Sequence, residues 1–399
     1  MPPLVLAAAL LEGLSLTLIQ GYLPLYVRRA LGESSYVTVA LVVAVPALGA
    51  MVASNFWGGL SDVSGRLKPM ILIGLAGYAA AVAVIPFFGQ GIEVLLYVGL
   101  ASLLYGTLAP SLKTYVTLHR PDRKEHALAI VLMAQSTGWL LGSYGAGWLL
   151  EGGIATGLRA AMWTCAGLLA THALVCAAAL RDLKREPLPA RVHGSWLSKL
   201  AQDLASLYEN PRLLRLCLLA FFFVAANYIM WGFFSVYMVE RLNASIRTLR
   251  YALAASSVLG IVSFLYVGPL IQRFGGRAVL ASGVSLYGAM YLGIGLARDP
   301  VVVGMLYALP LFSLVNVSAN VLASEYSNAA QRGGGLGVLS GTYALATVVG
   351  PVTGGILADR FGLRAVPWLA LGFILTAAPI AWWQAVRGHR EWVTGRNPR

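Results

Sequence analysis

Gly58-Gly59-Leu60-Ser61-Asp62-Val63-Ser64-Gly65-Arg66-Leu67-Lys68 is a short charged stretch between two long apolar runs. Read as G-x-L-x-D-x-x-G-R-x-K, it has a degraded copy 210 residues later. The copy is Gly268-Pro269-Leu270-Ile271-Gln272-Arg273-Phe274-Gly275-Gly276-Arg277, with Gln272 where Asp62 stood. A polar loop set twice between apolar helices, half a chain apart, predicts a duplicated membrane protein.

The composition agrees. Of 399 residues, 58% are hydrophobic and 11% charged, against about 25% charged in a soluble domain. No water-soluble core absorbs that much apolar sequence, so the bilayer is the expected solvent. A spanning helix takes roughly 20 apolar residues. Twelve spans fit, at 4–28, 36–60, 69–88, 93–118, 127–150, 158–180, 211–239, 246–271, 277–297, 300–325, 335–357 and 364–386. The predicted domains are a six-helix bundle over 1–180, a linker over 181–210, a second six-helix bundle over 211–386 and a tail over 387–399. The fold class is therefore an all-α membrane protein of two pseudo-symmetric bundles.

The formal charge of +13 raises nucleic acid as a partner, but the positives are scattered over short loops and form no basic face, so none is expected. Of the 29 Lys and Arg, 20 fall on the side holding both termini. Positive residues favour the cytoplasmic side, so both termini are expected there, in a multi-pass protein of the plasma membrane. The linker stretch 195–209 sets Trp196, Leu197, Leu200, Leu204, Leu207 and Tyr208 at helical spacing, with Lys199, Gln202, Asp203 and Ser206 opposite. That pattern describes a helix lying on membrane lipid, or one that binds a partner protein.

Other segments repeat at nearly the same offset. The run Gln20–Tyr26 aligns with Trp231–Tyr237, and Ser102 and Tyr105 with Ser313 and Asn316. Gly142, Gly147 and Glu151 align with Gly350, Gly355 and Asp359. Two duplicated halves imply a central polar cavity near the midplane.

The Gly58–Lys68 stretch resembles the signature loop between helices 2 and 3 of the major facilitator superfamily of transporters. The resemblance runs from the first span to the last. It implies a twelve-helix secondary transporter working by alternating access. It also implies that Asp62 engages the start of the eleventh span, where Gly333-Gly334-Gly335-Leu336-Gly337 permits close approach. Gly58, Asp62, Gly65 and Arg66 would then form a conformational latch; the alternative is a loop whose charge only fixes topology. Gly350-Pro351-Val352-Thr353-Gly354-Gly355 is similar to an element that antiporters of the family carry in helix 5, although here it lies in the eleventh span. Many drug antiporters of the family bury an arginine in helix 4. Ser102 and its neighbours stand there instead, which disfavours a tightly bound anionic substrate.

An ionisable group inside the bilayer is costly and points to function. Glu12 is the clearest, about 12 Å along the first span at 1.5 Å per residue. Ser15, Tyr22 and Tyr26 fall within roughly 80° of it on a helical wheel. One carboxylate on a polar-aromatic stripe reads as a cavity wall and a proton-coupling candidate, or as a carboxyl hydrogen-bonded in a helix contact. Ser102, Tyr105, Gln135, Asn227, Trp231, Asn316 and Asn320 are the remaining cavity candidates, all uncharged, able to hydrogen-bond or stack on a neutral solute, or else to pack between helices. His172 is expected to be a packed surface residue. Cys165, Cys176 and Cys217 lie in apolar runs and are expected as core residues, not metal ligands. No strand-borne nucleotide loop, metal-spaced cluster or G-x-S-x-G elbow is present, so no enzyme, metal or cofactor is expected.

The sequence thus predicts a monomeric transporter of a small neutral or amphipathic solute, with proton-coupled efflux through Glu12. Uptake or facilitated passage of a sugar-like solute is the alternative. A non-transporting receptor or lipid-handling protein is the alternative from another class.

Overall fold

Twelve helices account for nearly all of the computed structural model, which describes residues 3–64, 66, 68–105, 124–180, 210–326 and 332–393. They are α1 (Pro3–Leu25), α2 (Tyr36–Ser64), α3 (Lys68–Val84), α4 (Gly91–Tyr105), α5 (Lys124–Leu150), α6 (Ile154–Ala179), α7 (Pro211–Val236), α8 (Ile246–Phe274), α9 (Gly276–Leu296), α10 in two pieces (Pro300–Tyr307 and Phe312–Tyr326), α11 (Arg332–Phe361) and α12 (Ala365–Val393). Among the described residues there is no strand, and ten helices are long and apolar enough to cross a membrane. Leu96, Leu100, Trp148, Leu174 and Leu265 lie between 64% and 73% exposed. Leaving each such side chain in water forgoes roughly 1.5–3 kcal/mol, so these surfaces face lipid.

The expected single helix over 300–325 is broken. Pro310 has no N–H and cannot continue an α-helical ladder. The chain leaves helix at Ala308–Leu311, where the Tyr266 hydroxyl donates to the Pro310 carbonyl at 3.3 Å. The ends of α2, α11 and α12 run past the apolar windows, so Asp62 lies in the last turn of α2 rather than in a loop.

Backbone contacts group the chain into two compact units, Met1–Val192 with Gly232–Ser257, and His193–Trp231 with Val258–Arg399. In the first, α1 packs on α5 and α6, α2 on α4, and α3 on α4 and α6. In the second, α9 packs on α12 and α10, and α11 on α10 and α12. The stretch Gly232–Ser257, second-half by sequence, thus packs with the first.

The repeat is written in the backbone. Both α1 and α7 end in a five-residue π-turn, Tyr26–Ala30 and Tyr237–Arg241. Each turn closes with an N–H five residues on, Leu31 to Tyr26 and Leu242 to Tyr237, both 3.2 Å. A left-handed residue follows each time, Gly32 at φ 70° and Asn243 at φ 52°. Gly and Asn are the residue types that tolerate it. Ser35 then caps α2 and Ser245 caps α8, each hydroxyl accepting from an N–H two or three residues on.

Helix contacts repeat too. A Cβ on Gly142 of α5 would come 2.7 Å from the Leu14 carbonyl of α1. A Cβ on Gly350 of α11 would collide with the Ala225 carbonyl of α7. Leu14 and Ala225 are themselves equivalent residues, so one small-residue crossing is used in both halves.

Candidate functional site

The tightest crossing, α1 on α5, sets the polar interior of the first unit. A Cβ on Gly13 would collide with the Gln135 carbonyl, and one on Gly138 with the Leu10 carbonyl. Glu12, next to Gly13 in sequence, is 5% exposed, and the Gln135 side chain is half-buried. The other members of the Glu12 stripe turn into the bundle. The Ser15 hydroxyl donates to the Leu11 carbonyl at 2.7 Å, and its own carbonyl accepts from the Cys165 thiol of α6 at 3.2 Å. The Tyr22 hydroxyl donates to the Ser143 carbonyl of α5 at 3.0 Å, and the Tyr26 ring has no exposed surface. Ser102 is buried on α4, donating to the Gly99 carbonyl at 2.5 Å and lying against Gly49 of α2. The Tyr105 side chain lies outside the described residues.

The second unit holds the other half-buried candidates. The Asn227 amide of α7 donates to the Tyr287 hydroxyl of α9 at 2.9 Å, and Trp231 lies one turn along α7. On α10, the Asn320 amide donates to the Asn316 carbonyl at 2.8 Å. Each keeps part of its surface open.

Of the latch residues, Gly58 and Asp62 sit in the last turns of α2, and Arg66 is exposed. Gly65 and the side chain of Asp62 fall outside the described residues, as do the side chains at the start of α11.

Two charge clusters fasten Gly232–Ser257 to the first-half helices of its unit. Glu240, 16% exposed, accepts from Arg28 Nε at 3.1 and 3.2 Å, pairs with Arg29 Nε at 3.1 Å and accepts from the Tyr36 hydroxyl at 3.2 Å. Arg28 also lies 4.3 Å over the Tyr36 ring and donates to the Glu33 and Ser34 carbonyls. At the second cluster, Glu151 after α5 pairs with Arg250 of α8 at 3.1 Å and Arg247 at 3.7 Å. Arg250, 5% exposed, lies against Gly147, with the Tyr144 and Tyr251 rings at 4.8 and 5.1 Å. Within this unit both clusters lie at the end opposite the start of α1.

Residues 9–368 match the MFS_1 like family. The chain belongs to the major facilitator superfamily. It is 25% identical over 393 residues to the multidrug resistance protein MdtG of Citrobacter koseri, covering 96% of this chain and 93% of the relative. It is 25% identical to MdtG of Klebsiella pneumoniae, covering 92% and 88%. Among solved structures, the nucleoside transporter NupG superposes with a TM-score of 0.77 at 14% identity, over 96% of this chain and 98% of that one. A bacterial homologue of the human lysosomal transporter Spinster superposes at 0.76, also at 14% identity. These structures share the fold. The protein is a multi-pass membrane transporter of small molecules, in a family of non-enzymes.

Sequence reading missed two features of this superfamily member. The ion pairs escaped it because Arg28 and Glu240 lie 212 residues apart. Both were legible only as loop charges. His172 on α6 was expected at a surface and is instead 1% exposed, with neither ring nitrogen hydrogen-bonded among the described residues. A lone histidine in an apolar run carries no signal of which way it points.

Proposed function

We propose that this transporter exports small neutral or amphipathic solutes by alternating access, with Glu12 exchanging a proton for each solute. The observation that carries the reading is Glu12 itself, a carboxylate almost wholly buried where α1 and α5 cross most tightly. An acidic side chain inside a membrane protein is costly to bury and so marks a candidate functional site. The relatives named multidrug resistance proteins favour export over uptake. The groups we assign to the solute are the half-buried ones, Gln135, Asn227, Trp231, Asn316 and Asn320, which offer amides and an indole but no charge. Ser15, Tyr22, Tyr26 and Ser102 support the helices that carry them.

The face carrying the termini is assigned to the cytoplasm by its Lys and Arg. The Glu240 and Glu151 clusters then hold the outer face shut, and the Asp62 latch holds the inner face shut in the opposite state. Asp62→Asn is accordingly expected to raise the reactivity of cysteines placed at the inner mouth.

The test is pH-gradient-driven transport of the amphipathic dye Hoechst 33342 in proteoliposomes. Glu12→Gln is expected to abolish gradient-driven movement while leaving dye exchange down its own gradient. Asn316→Ala is expected to weaken dye affinity and keep the pH dependence. Gradient-driven flux that survives Glu12→Gln removes Glu12 from coupling. Uptake of a labelled sugar without dye movement would replace the export reading.

A further inference from the structure

A cavity of about 140 Å³ opens at one end of the second unit, lined by Pro211, Arg212, Arg215, Arg277, Tyr326, Trp383 and Gln384. Three guanidiniums converge there, and among the described residues no carboxylate lines it. Glu325, next to Tyr326, is exposed and outside the lining. Arg215 lies 4.1 Å over the Trp383 ring and Arg277 lies 5.6 Å over the Tyr326 ring, so aromatic faces hold both cations in place.

Gln384 points to a ligand independently of the charges. It is 6% exposed, its Oε1 accepts from the Tyr326 hydroxyl at 3.4 Å, and its Nε2 is buried with no hydrogen-bond partner among the described residues. A buried donor without an acceptor costs about 1–3 kcal/mol. An oxyanion in the cavity would supply the acceptor, in a setting of positive charge from three guanidiniums.

The surroundings fit. Helices α7 and α9 start at this cavity, at Pro211 and Gly276, and helix starts favour anions. Asn210 ties the wall together: its Oδ1 accepts from the Leu213 N–H at 3.1 Å and its Nδ2 donates to the Tyr326 carbonyl at 2.6 Å. The apolar windows of four spans begin or end here, at Pro211, Gly276, Tyr326 and Val386. Trp382 and Trp383, 51% and 37% exposed, stand where interfacial tryptophans stand. The cavity thus sits where these apolar spans end, the level at which polar headgroups are expected.

We propose that Arg212, Arg215, Arg277 and Gln384 form a binding site for a phosphate-type oxyanion, separate from the transported solute. The same chemistry is offered by an anionic phospholipid headgroup and by free phosphate. The test is thermal unfolding of the purified full chain in detergent with phosphatidylglycerol, phosphatidylcholine or inorganic phosphate added. Phosphatidylglycerol is expected to raise Tm by at least 3 °C more than phosphatidylcholine. Arg215→Gln/Arg277→Gln is expected to abolish that difference. Arg360→Gln/Arg364→Gln, at the opposite helix ends, is expected to keep it. Gln384→Met leaves every charge in place and is expected to weaken phosphatidylglycerol binding about tenfold, which covers the case of an unfolded arginine variant. An equal shift from inorganic phosphate, lost in the same variants, identifies a soluble anion as the source. No shift with either anion, or a shift unchanged in both Arg215→Gln/Arg277→Gln and Gln384→Met, overturns the site. Hoechst transport can fail without affecting this result.

Discussion

Glu240→Gln is the most direct perturbation of the clamp at the end opposite the start of α1. The amide keeps the shape of the side chain and removes its charge. It removes the carboxylate that pairs with both Arg28 and Arg29, and takes a charged acceptor from the Tyr36 hydroxyl. Exposed ion pairs contribute about 0–1 kcal/mol, and breaking a buried one costs about 3–5 kcal/mol. Glu240 and Arg28 are 16% and 19% exposed, between those limits. A loss of about 2–3 kcal/mol follows, which at 1.4 kcal/mol per decade is roughly a 30- to 150-fold shift toward the state with this face open. Spin labels at Ser34→Cys and Leu242→Cys, on the two sides of the clamp, report the shift by pulsed electron spin resonance. The native cysteines, Cys165, Cys176 and Cys217, are all buried and unpaired. The parent is expected to give one short distance, and Glu240→Gln a second, longer population of comparable size. Raising salt is expected to move the parent the same way by a smaller amount, since the pair is partly shielded from solvent. An unchanged distance distribution in Glu240→Gln, with the protein folded, would refute the clamp as a gate.

The Glu151 cluster is expected to behave more severely. Glu151→Gln strands Arg250, which is 5% exposed, and a drop in stability of about 3 kcal/mol is expected in thermal unfolding; Glu151→Gln/Arg250→Met should recover much of it. Gly138→Val forces α1 and α5 apart at the Leu10 carbonyl, and is expected to lower Tm and dye transport together, whereas Gly145→Val, with open space around it, should leave both near normal. His172→Leu replaces a buried imidazole that has no hydrogen-bond partner among the described residues with an apolar side chain of similar size. A rise in Tm matching about 1–2 kcal/mol is expected, and a fall would show that the imidazole is engaged.

What was legible in the sequence was what the bilayer writes directly. Helix number follows from apolar runs, because lipid offers the backbone no hydrogen bonds and each crossing must be a complete helix. The duplication was legible because Gly142 and Gly350 sit at equivalent crossings and small residues are hard to replace there. Helix ends were less legible, since hydropathy marks where lipid stops and α2 continues to Ser64 beyond it. The break at Pro310 was within reach of the proline rule, but the surrounding apolar run masked it. Side-chain direction was not legible. A wheel gathers Glu12, Ser15, Tyr22 and Tyr26 on one stripe without saying what the stripe faces. Only the positions of Ser143, Gln135 and Cys165 on other helices turn it inward.

The clamp falls where the repeat has diverged most usefully. Arg29 and Glu240 occupy equivalent positions under the 211-residue offset, each in the π-turn that ends α1 or α7, yet they pair with one another. With identical halves, such a position sets like charges face to face and pushes that face open. With Arg in one half and Glu in the other, the same geometry closes it, and Arg28 and Tyr36 reinforce the pair from the first half alone. The repeat is therefore broken at Arg29 and Glu240 and kept at the glycine crossings of Gly142 and Gly350, and the Glu240→Gln measurement tests whether the broken position sets a conformational preference.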